Sequence, residues 1–391
     1  MLSMCLVVSL VLASCVATGT HSLLDNNPVT AENLLRDSPL DNGSAEMDLS
    51  QVDILEMTPE MTAFIDKYVG DRRNRNARLK RLIHAVMGDD NFELIYDDST
   101  RTAAQTFRDR RGNCLSFTNL FIAMARYLEI QAHYQEVEIP PDWSLVGESF
   151  LFSQHVNVFL DLGADETRIV DFNIYDFNVS YERRLISDAR ARAHYFSNIG
   201  VDHMLAGETQ QAYANFRQAV LEDETFSPAW INMGILHRRE GYPGYAETAF
   251  RQALEIYEFD FLAMSNLANL YEQEGLEEQA EHYRSRVQAH RMNNPYYLYG
   301  LAQTAIVDGD YNSAIRHLRS AIRKRDEDPR FYSLLSVSYF MAGDEKSATK
   351  WMERAEELAD DDGSRLQYHN KLDRLMGLQN GRAQDGVSSD R

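Results

Sequence analysis

Residues 110–130 read "RRGNCLSFTNLFIAMARYLEI". Phe117, Leu120, Phe121, Met124 and Leu128 recur at three- and four-residue steps, which predicts a helix with one buried face beginning close to Cys114. Gly112 suits a tight turn into that helix. Cys114 and Phe121 lie seven positions apart and share a face, so the sulfur sits at the helix N-terminus and points inward. There the unpaired N–H groups and the positive end of the helix dipole favour an anion, and Arg108, Arg110 and Arg111 add positive charge. The only other cysteines, Cys5 and Cys15, stand in the first fifteen residues. A lone thiol in this setting is either a nucleophile or a small buried hydrophobe.

Outward from the helix, "IQAHYQEVEI" (130–139) is β-prone with partial alternation, and "PPDWSLVGESFLFSQ" (140–154) reads as a loop with a proline pair. "HVNVFLDL" (155–162) alternates, placing His155, Asn157 and Phe159 on one side and Val156, Val158 and Leu160 on the other. "GADET" turns the chain, and a further strand runs through Ile169 to Asn173. A helix bearing Cys thus precedes a sheet bearing His and then Asp. A cysteine nucleophile needs a base within hydrogen-bond reach, and that base needs a third group to hold its ring.

The run "TAAQTFRDRRGNCLSFTNLFIAMARYLEIQAHYQEV", then "HVNVFLDL", then "RIVDFN", resembles the core of the transglutaminase-like superfamily, whose bacterial branch includes cysteine peptidases. The resemblance covers roughly residues 55 to 185 and is strongest around Cys114. It implies a papain-like α+β domain of helices and antiparallel sheet. It also implies a triad with Cys114 as nucleophile, His155 as base and Asp171 orienting the base. Members join glutamine to amines or hydrolyse peptide and amide bonds. The backbone N–H of Cys114 is the natural oxyanion donor. Gln105, Ser153 and Gln154 are candidates for a second donor by chemistry alone. Trp143 either lines a substrate channel or packs the loop.

The second half is periodic. Gly207, Gly241, Gly275, Gly309 and Gly343 follow at intervals of 34 residues, the tetratricopeptide period. Ala212, Ala246, Ala280, Ala314 and Ala348 stand five residues after each glycine, and Gly200, Gly234, Ala268, Ala302 and Ser336 seven before it. Small residues recur where two helices press together. "SNIGVDHMLAGETQQAYANFRQAV" and "INMGILHRREGYPGYAETAFRQAL" accordingly resemble tetratricopeptide repeats. That resemblance implies an all-α solenoid whose groove takes an extended peptide or another protein.

The opening "MLSMCLVVSLVLASCVATG" carries an apolar stretch too short to span a bilayer but long enough for a secretory leader. Its end, Leu12 to Cys15, resembles a bacterial lipobox, with ordinary cleavage after Ala17 or a retained leader as alternatives. The resulting expectation is a leader at 1–15 with lipidation at Cys15, a flexible tether at 16–50 with a reach on the order of 30 Å, and a transglutaminase-like domain at 51–188. Five repeats at 193–362, a capping helix at 363–379 and a disordered tail at 380–391 follow.

A formal charge of -21 argues against a nucleic-acid partner. The basic run "DRRNRNARLKR" reads as a solvated helix face. No HExxH pair, glycine-rich phosphate loop or cysteine cluster appears, so neither metal, nucleotide nor other cofactor is expected. "ADDDG" (359–363) lacks the terminal acid of a calcium loop. These observations predict a lipid-anchored cell-envelope protein, on the periplasmic face of a bacterial outer membrane, that acts on amide bonds and recruits a protein partner. A non-catalytic adaptor for envelope assembly is the alternative, and cell-wall amide processing would change only the substrate.

Overall fold

The computed structural model describes residues 29–41, 48–70, 74–88, 92–138, 144–146, 149–151, 155–163, 166–172, 182–359 and 365–371. The chain forms two compact units, residues 1–270 and 271–391. The leader, the tail, Cys15, Trp143, Ser153 and Gln154 lie outside the described residues.

In the first unit, α1 (Ala31–Arg36) opens with a capping box between Thr30 and Asn33. One turn of 3-10 helix follows at Leu49–Gln51. Next, α2 (Pro59–Tyr68) starts at the expected Thr58 cap with Pro59 in its first turn, and buries Met61 and Ile65. Helix α3 (Arg75–Met87) buries Leu79, Leu82 and Val86, stops at Gly88, and leaves its basic side to solvent. After β1 (Ile95–Tyr96) comes α4 (Ala103–Asp109), which ends on Arg110 in a left-handed conformation, and then β2 (Arg111–Gly112). Helix α5 (Cys114–Tyr127) is buried at every position from Leu115 to Ala125 rather than along the one face expected. Its buried polar residues Ser116, Thr118 and Asn119 are hydrogen-bonded, which lets the whole helix lie inside the core.

After α5 come β3 (Gln131–Glu138), the paired β4 (Ser144–Val146) and β5 (Ser149–Leu151), β6 (His155–Asp161), β7 (Thr167–Val170) and β8 (Glu182–Ile186), with β3 and β6 packed on α5. The main sheet is antiparallel with order β7-β6-β3-β8. Val156, Val158 and Leu160 of β6 are buried, and the Thr118 hydroxyl of α5 donates to Val156 O at 3.1 Å. Strand β7 ends at Val170, one residue before Asp171, where the sequence predicted a strand through Asn173.

Helix α6 (Asp188–Ala206) belongs to sheet and repeats alike. Its Asp188 receives both Arg126 guanidinium nitrogens at 2.6 and 2.8 Å, and its His194 Nε2 lies 2.7 Å from Glu136 Oε1. Arg184 joins the same carboxylate from β8. Burial acts against the Glu136 carboxylate, but its hydrogen bonds with His194 and Arg184 hold it down to about 2.

From α6 onward the described residues are helices, with a glycine every 34 residues from Gly207 to Gly343. In the first unit, α6 pairs with α7 (Thr209–Glu222), and α8 (Ser227–Arg239) with α9 (Pro243–Ile256); α10 (Phe261–Gln273) follows. A Cβ on Gly200 or Gly234 would meet the ring of Phe216 or Phe250 at 2.5 or 2.6 Å, which is why these positions stay small. In the second unit stand α11 (Glu277–Asn293), α12 (Pro295–Val307), α13 (Tyr311–Lys324), α14 (Pro329–Met341) and α15 (Glu345–Glu357). Their core includes Ala302, Ala314, Leu318 and Leu335. The five periodic glycines have φ between 72° and 86°, the left-handed corner between helices that a side chain would strain. Residues 365–371 of the expected capping helix are helical, and Tyr368 packs on the cluster of Tyr332, Met352 and Ala355.

One expectation is corrected. Residues 29–41, placed by composition in a flexible tether, dock on the first repeats. Leu34 is fully buried, Leu40 and Ser38 nearly so. Tyr213 Oη donates to Leu34 O at 2.8 Å, Arg217 Nε to Leu35 O at 2.5 Å and Thr248 Oγ1 to Val29 O at 3.0 Å. The Ser38 hydroxyl lies 2.9 Å from His237 Nε2. Polar composition hid this segment because its grip comes mainly from main-chain carbonyls, with only two leucines adding about 1.5–3 kcal/mol each. Among the described residues no helix is long and apolar enough to cross a membrane.

Candidate active site

Cys114 is the first residue of α5, partly accessible, and its thiol is free. Asn113 caps the helix: its Oδ1 accepts from Ser116 N at 3.0 Å while its Nδ2 donates to Thr100 Oγ1 at 2.7 Å. Ser116 Oγ accepts from Arg101 N at 2.8 Å, and Asn119 Nδ2 donates to Arg101 O at 3.2 Å. The loop before α4 is thereby fixed to the first turns of α5. Gly112 has φ +156°, and a Cβ there would stand 2.5 Å from Ser116 Cβ. The glycine foreseen as a turn residue is also a point of close approach.

His155 opens β6 and is 8% exposed. Its Nε2 lies 2.8 and 2.9 Å from the two oxygens of Asp171, and Cys114 is near enough for its side chain and charge to act on the ring. Burial pulls the imidazolium down, but the hydrogen bonds to Asp171 and Cys114, with the charges of both, raise it to about 10. Of the three residues read from the sequence, His155 and Asp171 are hydrogen-bonded, and Cys114 lies near the ring.

Asn157 completes the arrangement. It is fully buried, shares the face of His155 two residues along β6, and donates from Nδ2 to Asp171 Oδ2 at 2.8 Å. Sequence reading placed it on that face without giving it a role; the two-residue alternation was the available signal. Gln105 is exposed and its side-chain carbonyl accepts from Thr102 N at 3.0 Å, closing the capping box of α4. Apolar walls come from Phe117, with Phe172 at 5.5 Å and Tyr96 at 6.4 Å between ring centroids. Surrounding protein, and after it the nearby Cys114, Asp98 and Asp97, push the Tyr96 phenol up. Among the described residues no group of three or more His, Cys, Asp or Glu side chains is placed to hold a metal ion.

Residues 62–159 match the family model described as the transglutaminase-like superfamily, a span that includes Cys114 and His155. The chain carries a transglutaminase-like domain. Asp171 lies twelve residues beyond the matched span and joins it through its bonds to His155 and Asn157. Solved structures match part of the chain. The crystal structure of MamA protein is 17% identical over 43% of this chain and 91% of its own, with a TM-score of 0.24. YrrB, described as a TPR protein with an unusual peptide-binding site, is 15% identical over 46% and 92%, with a TM-score of 0.24. MamA from Desulfovibrio magneticus RS-1 is 18% identical over 43% and 94%, with a TM-score of 0.25. No curated protein matches the chain.

Proposed function

We propose that the transglutaminase-like domain cleaves or transfers an amide acyl group through a thioester on Cys114. The observation that carries this reading is the His155 ring, held within hydrogen-bond distance of both Asp171 oxygens and close enough to Cys114 to respond to it. With the Sγ proton already on the His155 ring, which is held as imidazolium, the sulfur attacks the amide carbonyl carbon. The N–H groups at the start of α5 support the negative oxygen. As the C–N bond breaks, the imidazolium gives its proton to the departing amine. Water or a second amine then attacks the thioester, with His155 taking the attacker's proton and Sγ leaving. Asp171 holds the ring and offsets its charge; Asn157 holds Asp171.

In this account the repeats bring a protein partner to the thiol, and Cys15 carries a lipid that holds the protein in the bacterial envelope, on the periplasmic face of the outer membrane. The full chain bearing Cys114→Ala is expected to retain its substrate from an envelope extract. Adding wild-type protein to the eluted substrate should then change its mass by hydrolysis or by amine exchange. A retained protein whose mass wild-type chain leaves unchanged would instead support an adaptor. Detergent partition of wild type and Cys15→Ser tests the anchor separately.

A further inference from the structure

Beside the nucleophile lies a short strand with one edge open. In the parallel ladder of β1 with β2, the N–H of Ile95 donates to Arg110 O at 2.9 Å and that of Asp97 to Gly112 O at 3.0 Å. Main-chain groups along a strand alternate sides, so the N–H and C=O of Tyr96 face away from β2. Among the described residues no third strand joins that edge. The Ile95 and Tyr96 side chains are 49% and 60% exposed. An open edge with exposed apolar side chains is a template for another chain, and proteins cover or charge such edges unless they use them.

This edge is braced. Asp97 Oδ1 accepts from Ser99 N at 3.1 Å and from Arg101 Nη1 at 2.8 Å, and Arg111 Nε stands 3.5 Å from Asp97 Oδ2. It also adjoins the thiol. Tyr96 is opposite Gly112, two residues before Cys114, and its ring meets that of Phe117, one turn after Cys114. Neighbouring strands lie about 4.8 Å apart and a strand rises about 3.3 Å per residue, so a chain laid on this edge reaches the sulfur within roughly two or three residues.

We propose that the open edge of β1 is the docking strand for substrate: an extended peptide main chain pairs with the N–H and C=O of Tyr96 and so presents its acyl carbonyl to Cys114. The proposal rests on Cys114 being a nucleophile and names the substrate class, a locally extended polypeptide. Main-chain pairing supplies affinity without regard to side chains, and the exposed Tyr96 ring supplies the preference for what flanks the paired residue.

The test compares rates of Cys114 alkylation by two kinds of reagent on the full chain. Iodoacetamide has no main chain to pair and reports on the thiol alone; a tri-alanyl chloromethyl ketone can add to the strand. In both, an S–C bond forms and a halide leaves. For wild type, N-methylating the probe amide that pairs should lower the ratio of chloromethyl ketone rate to iodoacetamide rate at least tenfold, and one of the singly N-methylated probes should show this. Tyr96→Pro removes the outward N–H while leaving the ladder bonds in place, since that N–H takes no part in them. It should lower the ratio to a similar degree, and because proline keeps the C=O that accepts from the probe amide, N-methylation should lower the ratio further. Tyr96→Ala, which keeps the N–H, should retain the N-methylation effect. Equal ratios for every N-methylated probe on wild type would overturn the proposal. An iodoacetamide rate indifferent to His155→Ala would instead overturn the nucleophile on which it rests.

Discussion

Asp171→Asn removes one charge from the proposed triad while keeping its shape, and His155 reports the loss. The gap between an ordinary imidazole at 6.5 and His155 at about 10 corresponds to roughly 5 kcal/mol of preference for the imidazolium. Burial opposes that preference, so Asp171 and Cys114 together supply more than the whole of it. Losing the carboxylate should lower the midpoint by at least about 1.5 pH units. The assay is NMR titration of histidine-labelled full chain, with His155→Gln assigning the signal. Cys114→Ala should lower the midpoint too, because the value belongs to the pair. Removing both partners should take it below 6.5, since burial then acts alone. The sign for stability follows. A midpoint raised on folding contributes stability that is complete below pH 6.5 and is lost as pH rises toward 10, and Asp171→Asn should shorten that window. A wild-type midpoint near 6.5, or one that Asp171→Asn leaves in place, refutes the reasoning.

His237 runs the opposite way. Burial lowers it to about 4, so between pH 4 and 6.5 the unfolded chain binds more protons and stability rises with pH. Wild type should lose roughly 2.5 kcal/mol more than His237→Tyr between pH 7 and 4.5, read by urea unfolding; equal losses would count against the buried contact with Ser38. Asn157→Ala leaves Asp171 Oδ2 without its 2.8 Å donor and should lower the His155 midpoint and slow alkylation of Cys114 several-fold. A structural role alone would lower the unfolding temperature and leave that midpoint fixed. Gly112→Ala drives a Cβ into Ser116 and should cost about 2–4 kcal/mol in unfolding experiments, through the strained φ and the displaced cap of α5. A loss below about 0.5 kcal/mol would show that the turn relaxes freely.

The repeats were legible because each constraint is local: a glycine at the left-handed corner, and a small residue where two helices touch. Cys114, His155 and Asp171 were legible from residue type, order and family resemblance. Their approach to one another depends on strand order β7-β6-β3-β8, which pairing far along the chain decides. Strand β8, the two-residue ladder of β1 and β2, and the hairpin of β4 and β5 carry too few residues for any period to show. Asn157 escaped because its role exists only once Asp171 is brought beside it. Docking of residues 29–41 escaped because side chains of α7, α8 and α9 reach mainly its carbonyls, and carbonyls are the same in every sequence.

The most direct measurement is the rate at which iodoacetamide alkylates Cys114 near pH 6, in wild type and in His155→Ala. If the imidazole beside Cys114 takes its proton, as the proposed mechanism requires, wild type should react faster than a model thiol and His155→Ala at least tenfold slower than wild type. Equal rates in the two proteins would contradict the account.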